Sequence, residues 1–289
     1  FEEVFNAKDK RVYIALDSKA LGDTLAWIPY VEEFGKVHKS KMIISTFHNH
    51  MFENQYPNIE FVKPGSEVSN LYAMYSLGLF YNDEGNTNYF KNPIDPKSVT
   101  MQKMATDILG LEYKEIKPKL ADRKVEKDDK LITIAIHGTA QSKYWNNPTG
   151  WQETIDWCNA NNVDVYHASK EGTDLTGIKQ LPEELALVAS AINEASCFIG
   201  ISSGLSWFAW ALGARVIIVS GFTDPYVEFE SATYINNHQA CHGCWGWDVF
   251  DKGDWNWCPA WKGTRRQFEC TKTIGSDRVI EAISKQLYG

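Results

Sequence analysis

A chain of 289 residues with a net charge of −8 suits two ordinary domains better than one. Its acidic balance argues against nucleic acid or an anionic membrane surface as partner, and no apolar run approaches the length of a membrane span. No signal peptide is visible, so the expected location is cytoplasmic. The chain begins at Phe1 and not Met, which leaves open a segment ahead of it.

In chain order, residues 1–10 read as a polar connector and 11–16 (RVYIAL) as a strand. A loop over 17–24 leads to a helix over 25–38, with Leu25, Ile28, Val31 and Phe34 on one face. Strands follow at 41–46, 58–62 and 75–80. A helix is expected over 96–109, with Asp95 as its cap, Pro96 at its first position and Gly110 as its stop. The charged stretch 111–130 reads as the link between domains. A second series opens with a strand at 131–136, a helix at 151–159, a strand at 163–166 and a helix at 185–195. It continues with a buried strand at 195–201, a Ser/Gly turn at 202–204, a helix at 205–212 and a strand at 214–220. A final helix at 277–287 is of the kind that packs back on the first domain. Strands alternating with helices predict an α/β fold of two doubly wound, Rossmann-like halves facing a cleft, residues 1–120 and 121–289.

Three constellations carry chemistry. The stretch 200–225 (GISSGLSWFAWALGARVIIVSGFTDP) places a strand, a small-residue turn and a helix N-terminus together. Unpaired N–H groups, the helix dipole and serine hydroxyls then make an anion site, although an ordinary tightly packed βαβ turn has the same composition. At Leu21-Gly22-Asp23-Thr24, Gly22 permits a close approach, and Asp23 is either a helix cap or a general base. In the loop 137–147, Thr139, Ser142 and Lys143 offer hydroxyls and a cation to a leaving diphosphate, or form a polar surface loop. His137 reads as structural.

The cysteines add a fourth element. Cys158 and Cys197 lie in apolar patterns and read as core. Cys241, Cys244, Cys258 and Cys270 have the spacing of a four-thiolate metal knuckle within 241–270, amid a tryptophan-rich insert. Two disulfides are the alternative, disfavoured by the C-x2-C pair and by the lack of any sign of export. Spacing alone suggests zinc. Four protein ligands close the site, so its role would be structural. No Asp-x-Asp pair stands at a strand end, so no catalytic divalent metal is expected.

Together, LGDTLAWIPYVEEF (21–34), QSKYWNNPTGW (141–151), GISSGLSWFAWA (200–211) and the finger CHGCW…NWCPAWKGTRRQFECT (241–271) resemble the bacterial autotransporter heptosyltransferases. These are relatives of the lipopolysaccharide heptosyltransferases. The resemblance covers residue 11 to the C-terminus. It implies a GT-B fold and an inverting transfer of heptose from ADP-heptose to serine hydroxyls of an autotransporter adhesin. Asp23 matches the catalytic base, with Gly22 and Thr24 on the acceptor side. Lys143 matches the cation near the donor phosphates, with Thr139, Gln141 and Ser142 around it. Ser203, Gly204 and Leu205 match the phosphate-side turn. Trp145, Phe222 and Thr223 are candidates for walls of the donor pocket. The four cysteines match a finger that holds iron, and large homo-oligomers occur in the family. The family also carries a small N-terminal domain, for which this chain has at most ten residues. Readings left open are another sugar, a glycan or lipid acceptor, or an inactive sugar-nucleotide binder.

Overall fold

The computed structural model describes residues 5–121 and 125–289. The chain divides into two compact units, Phe1–Asp122 and Arg123–Gly289. Residues 1–4 of the expected connector and 122–124 of the expected link lie outside the described residues.

The first unit runs β1 (Arg11–Leu16), α1 (Leu21–His38), β2 (Lys41–Ser45), α2 (Asn49–Phe52), β3 (Ile59–Val62), β4 (Ala73–Leu77) and α3 (Met101–Leu109). Its strands form a sheet of order β3-β2-β1-β4, with every pair parallel. The strand order reverses between β1 and β4, which end level at Leu16 and Leu77. Chains leaving such a reversal diverge and open a crevice at the strands' carboxyl ends.

Helix α1 begins four residues earlier than expected and takes in the Leu-Gly-Asp-Thr sequence as its first turn. It runs through Pro29 because packing outweighs the lost hydrogen bond: Leu25, Trp27, Ile28, Val31 and Phe34 are wholly buried. Trp27 Nε1 donates to the Met101 carbonyl at 3.1 Å, tying α1 to α3. Helix α3 starts at Met101 and not Pro96. Its cap is Thr100, whose hydroxyl accepts from the Lys103 N–H at 2.9 Å, while Asp95 accepts from the Lys97 N–H and the Thr87 hydroxyl. Apolar residues at helical spacing begin only at Met101. Gly110 ends the helix at φ 66°, as the sequence indicates.

The expected link is only partly a link. The Tyr30 hydroxyl lies 2.7 Å from the Lys114 carbonyl, Gln102 exchanges two hydrogen bonds with Ile116, and the Tyr56 hydroxyl accepts from the Lys119 N–H. These bonds strap the segment to the first unit. At the other end of the chain segment, β5 already begins at Asp128.

The second unit contains β5 (Asp128–Ala135), α4 (Gly150–Ala160), β6 (Asp164–His167), β7 (Lys179–Gln180), α5 (Leu185–Glu194) and β8 (Ala195–Gly200). It continues with α6 (Gly204–Ala211), β9 (Val216–Val219), β10 (Thr233–Ile235), α7 (Cys244–Trp247), α8 (Glu269–Lys272) and α9 (Ser276–Tyr288). The sheet order is β10-β9-β8-β5-β6-β7, again parallel throughout. Every residue of β8 is buried, as a central parallel strand covered on both faces must be. Cys158 and Cys197 are in this core, where burial pushes both thiols up to about 12. Helix α9 packs on α4 and on β8, β9 and β10 of its own unit. The order reverses between β5 and β8, whose ends pair at Ala135 and Gly200. The loop after β5 and the turn after β8 therefore emerge side by side. Among the described residues, no helix is long and apolar enough to cross a membrane.

Candidate functional site

The turn after β8 is shaped by what it excludes. A Cβ on Gly200 would lie 2.7 Å from the Phe198 ring and 2.8 Å from Ser206 Oγ, so this position has to be glycine. Ser206 Oγ donates to the Ile201 carbonyl at 2.6 Å and closes the turn. Ser203 caps α6 in an extended conformation, yet its side chain makes no capping bond and its buried Oγ has no hydrogen-bond partner. Gly204 and Leu205 open the helix, where N–H groups lack intrahelical acceptors. This mouth presents backbone donors, the positive end of the dipole and an uncommitted hydroxyl.

The loop after β5 supplies the cation. A 3-10 turn, Gln141–Lys143, carries Lys143 with its ammonium 5.4 Å from the Phe222 ring centre and 5.9 Å from that of Phe250. Thr139 is exposed. Gln141 has a scaffolding position: its amide donates to Asn146 Oδ1, and its backbone N–H donates to the Trp255 carbonyl at 3.0 Å. Ser142 is buried and lines the cavity beneath the cysteines. His137 stacks edge-on against Tyr144 and tilts against His167, and burial lowers the pKa of both histidines.

Three residues suggested as pocket walls lie deeper than that. Trp145 donates to the Ile274 carbonyl and packs on Trp151 in the core. Phe222 is 2% exposed among Trp245, Phe250 and Trp257, where it roots the insert. The buried Thr223 hydroxyl lies 2.6 Å from the Tyr234 hydroxyl and 3.2 Å from Ser220 Oγ. Large apolar groups and hydroxyls with near partners turn inward, and a short motif does not reveal that.

The structure adds Glu228. It lies just beyond a 3-10 turn, Pro225–Val227, and its Oε1 accepts from Ser202 Oγ and, at 3.5 Å, from Thr223 Oγ1. Burial pushes its carboxyl above the usual range, while the Ser202 hydroxyl and the Lys143 charge pull it back. The only sequence signal is an acid inside the apolar run Val227-Glu228-Phe229.

The four cysteines of the insert line one small cavity, with Gly221, His242, Trp247 and Phe268. All four are free thiols. Gly243, at φ 64°, turns the C-x2-C segment; its N–H donates to the Gly221 carbonyl and that of Trp245 to the Phe222 carbonyl. A Cβ on Gly221 would lie 2.6 Å from Cys270 Sγ, so glycine lets the sulfur approach the β9 turn. Burial pushes the Cys270 thiol up to about 12 and raises Cys241 and Cys244 as well. Among the described residues, no three or more His, Cys, Asp or Glu side chains stand in metal-holding geometry.

In the first unit, Asp23 is half-buried in the first turn of α1, where the helix dipole favours a carboxylate. It is not the cap. That position is Ala20, which has no side-chain capping bond. Thr24 is wholly buried and its hydroxyl donates to the Ala20 carbonyl; Gly22 is buried too. Both are therefore parts of the helix turn, with Asp23 between them.

The class follows from the two parallel sheets and their switch-point loops, which match the GT-B heptosyltransferase architecture. The crystal structure of TibC, an iron-containing dodecameric glycosyltransferase from enterotoxigenic E. coli H10407, has a TM-score of 0.89 at 32% identity, over 99% of this chain and 78% of that one. TibC in complex with ADP-D-beta-D-heptose gives 0.86 at 31%, over 100% and 79%. The autotransporter heptosyltransferase Aah of Escherichia coli is 35% identical over 305 residues, 98% of this chain and 75% of Aah. BimC of Burkholderia thailandensis, named an inactive autotransporter heptosyltransferase, is 30% identical over 301 residues, 98% of this chain and 70% of BimC. No protein-family model matches the chain. The chain belongs to the autotransporter heptosyltransferases, a family of glycosyltransferases.

Proposed function

We propose that this chain transfers heptose from ADP-heptose to serine hydroxyls of an autotransporter passenger protein, by a single displacement with inversion. The observation that carries the reading is the α6 mouth, with its uncommitted Ser203 hydroxyl, beside the Lys143 loop at the β5/β8 reversal. The TibC complex with ADP-heptose supports the donor, and the names of the relatives support the acceptor. Residues 203–205 hold the diphosphate through N–H groups and the serine hydroxyl. Lys143, with the exposed Thr139 near it in the loop, stabilises charge on the departing nucleotide. Asp23 takes the proton from the acceptor serine as the oxygen attacks the anomeric carbon. A catalytic divalent ion has no role in this scheme.

We infer that the four cysteines hold one ion: as free thiols they line one cavity and soft sulfur ligands suit iron as well as zinc, although their side chains have to draw together to bind it. The iron in TibC favours iron here. Bound, the ion would clamp the insert and take no part in the transfer. Free thiols suit a reducing, cytoplasmic location, and the TibC dodecamer supports a homo-oligomer.

The test is intact-mass analysis of a passenger co-expressed with the wild-type chain or with Asp23→Ala. Repeated heptose increments, absent with the variant, are expected. Hexose increments would change the donor. No increment from protein that still binds a nucleotide sugar would point to another acceptor, or to a chain without transfer activity; the relative BimC is named inactive.

A further inference from the structure

Among the described residues, Glu228 is the only buried carboxylate. Taking a carboxylate out of water costs several kcal/mol unless hydrogen bonds and a cation compensate. Here they come from two different strand ends. Ser202 Oγ donates to Glu228 Oε1, and Ser202 is the residue before the α6 cap Ser203. Lys143, from the loop after β5, supplies the cation whose charge acts on the Glu228 carboxyl. Its ammonium lies over the Phe222 ring, and the next residue, Thr223, donates to the same Oε1 at 3.5 Å. Tyr234 on β10 and Ser220 after β9 hold Thr223 in turn. One acid thus joins the β8 turn, the β9 turn and the β5 loop.

We propose that Glu228 is a positioning residue for the transfer: through Ser202 it fixes the turn that presents residues 203–205, and through its charge it holds the Lys143 ammonium in place for the leaving diphosphate. The proposal rests on the reading of those two elements as the donor site. It has a consequence of definite sign. A negative charge beside an anion seat weakens ground-state binding of ADP, while a correctly placed ammonium favours the departing diphosphate. Removing the charge therefore tightens ADP binding and slows transfer, whereas loss of a purely structural group weakens both.

The experiment is a double-mutant cycle on the full chain. Glu228→Gln keeps an acceptor for Ser202 and removes the charge. ADP affinity by calorimetry is expected to rise about 3- to 10-fold while turnover falls about 10- to 100-fold. In a Lys143→Met background the same replacement is expected to change turnover less than about twofold, because both residues act through one ammonium. Additive effects in the cycle, or unchanged affinity and turnover in Glu228→Gln, would overturn the proposal. Should Glu228→Gln not fold, Glu228→Asp carries the test. It keeps the charge on a shorter arm, so ADP affinity should stay within about twofold while turnover falls; parallel losses of affinity, turnover and Tm would refute the role. A wild-type chain that binds no ADP would instead sink the donor-site reading itself.

Discussion

The two switch points lead into helices whose starts differ in charge. After β1, residues 17–20 lead into α1, whose first turn carries Gly22 and the Asp23 carboxylate. After β8, residues 201–203 lead into α6, with a neutral Ser203 hydroxyl at the cap and Gly204 opening the helix. Both helix mouths carry the same partial positive charge. In α1 an acid already uses that field, which disfavours a second anion there. In α6 nothing anionic occupies the mouth, and the nearby acid, Glu228, is turned to Ser202. Similar topology thus puts an acid at one helix start and a neutral hydroxyl at the other, and on the proposed reading that difference separates a proton acceptor from an anion seat.

That contrast can be broken most severely at Asp23. Asp23→Asn is expected to slow transfer about 10²- to 10⁴-fold, measured as the rate of mass gain on the passenger. ADP affinity and Tm should barely change, because the cap is Ala20. Turnover near the wild-type rate would leave Asp23 as a partner of the helix dipole and nothing more. The converse change makes the second turn resemble the first. Ser203→Asp should weaken ADP binding by about 10²-fold or more while preserving or raising thermal stability, since aspartate is a good cap. Unchanged ADP affinity would show that phosphate does not sit there.

Smaller effects test the supports. Cys244→Ser should lower iron per chain, read by elemental analysis, and destabilise the second unit by about 2 kcal/mol or more; a stable, metal-free and active variant would defeat the structural finger. Gly200→Ala, whose added methyl meets Phe198 and Ser206, should cost about 1–3 kcal/mol in urea unfolding. The smallest effect concerns the strap on the first unit. Glu32 pairs with Lys119 at 2.5 Å and Lys36 at 3.0 Å. Burial raises its pKa, and the hydrogen bonds and charges of the two lysines lower it further than burial lifts it. A carboxyl depressed in the folded state stabilises fully above its ordinary pKa of about 4.3 and loses that contribution as pH falls through the folded value. Glu32→Gln should therefore cost about 0.2–1 kcal/mol near neutrality and almost nothing in acid. An equal cost at both pH values would reject the ion pair as the cause.

Much of the architecture was legible in the residues. The strands at β1, β2, β5 and β8 are apolar runs bounded by polar or small residues, and Gly110 and the Ser/Gly turn lie where punctuation of that kind belongs. The errors have a common cause. Asp23 resembles a cap and draws the expected start of α1 downstream of Leu21, and Asp95-Pro96 resembles a helix opening and draws that of α3 upstream of Met101. In both cases local propensity competed with the apolar periodicity that packing enforces. The edge strands Lys179–Gln180 and Thr233–Ile235 are too short to carry a pattern. The segment 111–121 reads as a linker because its anchors are the distant Tyr30, Tyr56 and Gln102.

For this protein, the sequence by itself determined two parallel α/β units, a helix mouth rich in serine and glycine, an acid early in α1 and four thiols in an insert. Each follows from composition and spacing along neighbouring stretches of the chain, where periodicity, turns and capping act. Tertiary structure decided which of those residues face inward. It set Phe222, Thr223 and Trp145 as supports, left the Ser203 hydroxyl uncommitted, and made Glu228 a buried acid between a serine 26 residues away and the Lys143 charge. Burial and pairing across strands arise only when the sheet orders its strand ends, and no local pattern encodes that order.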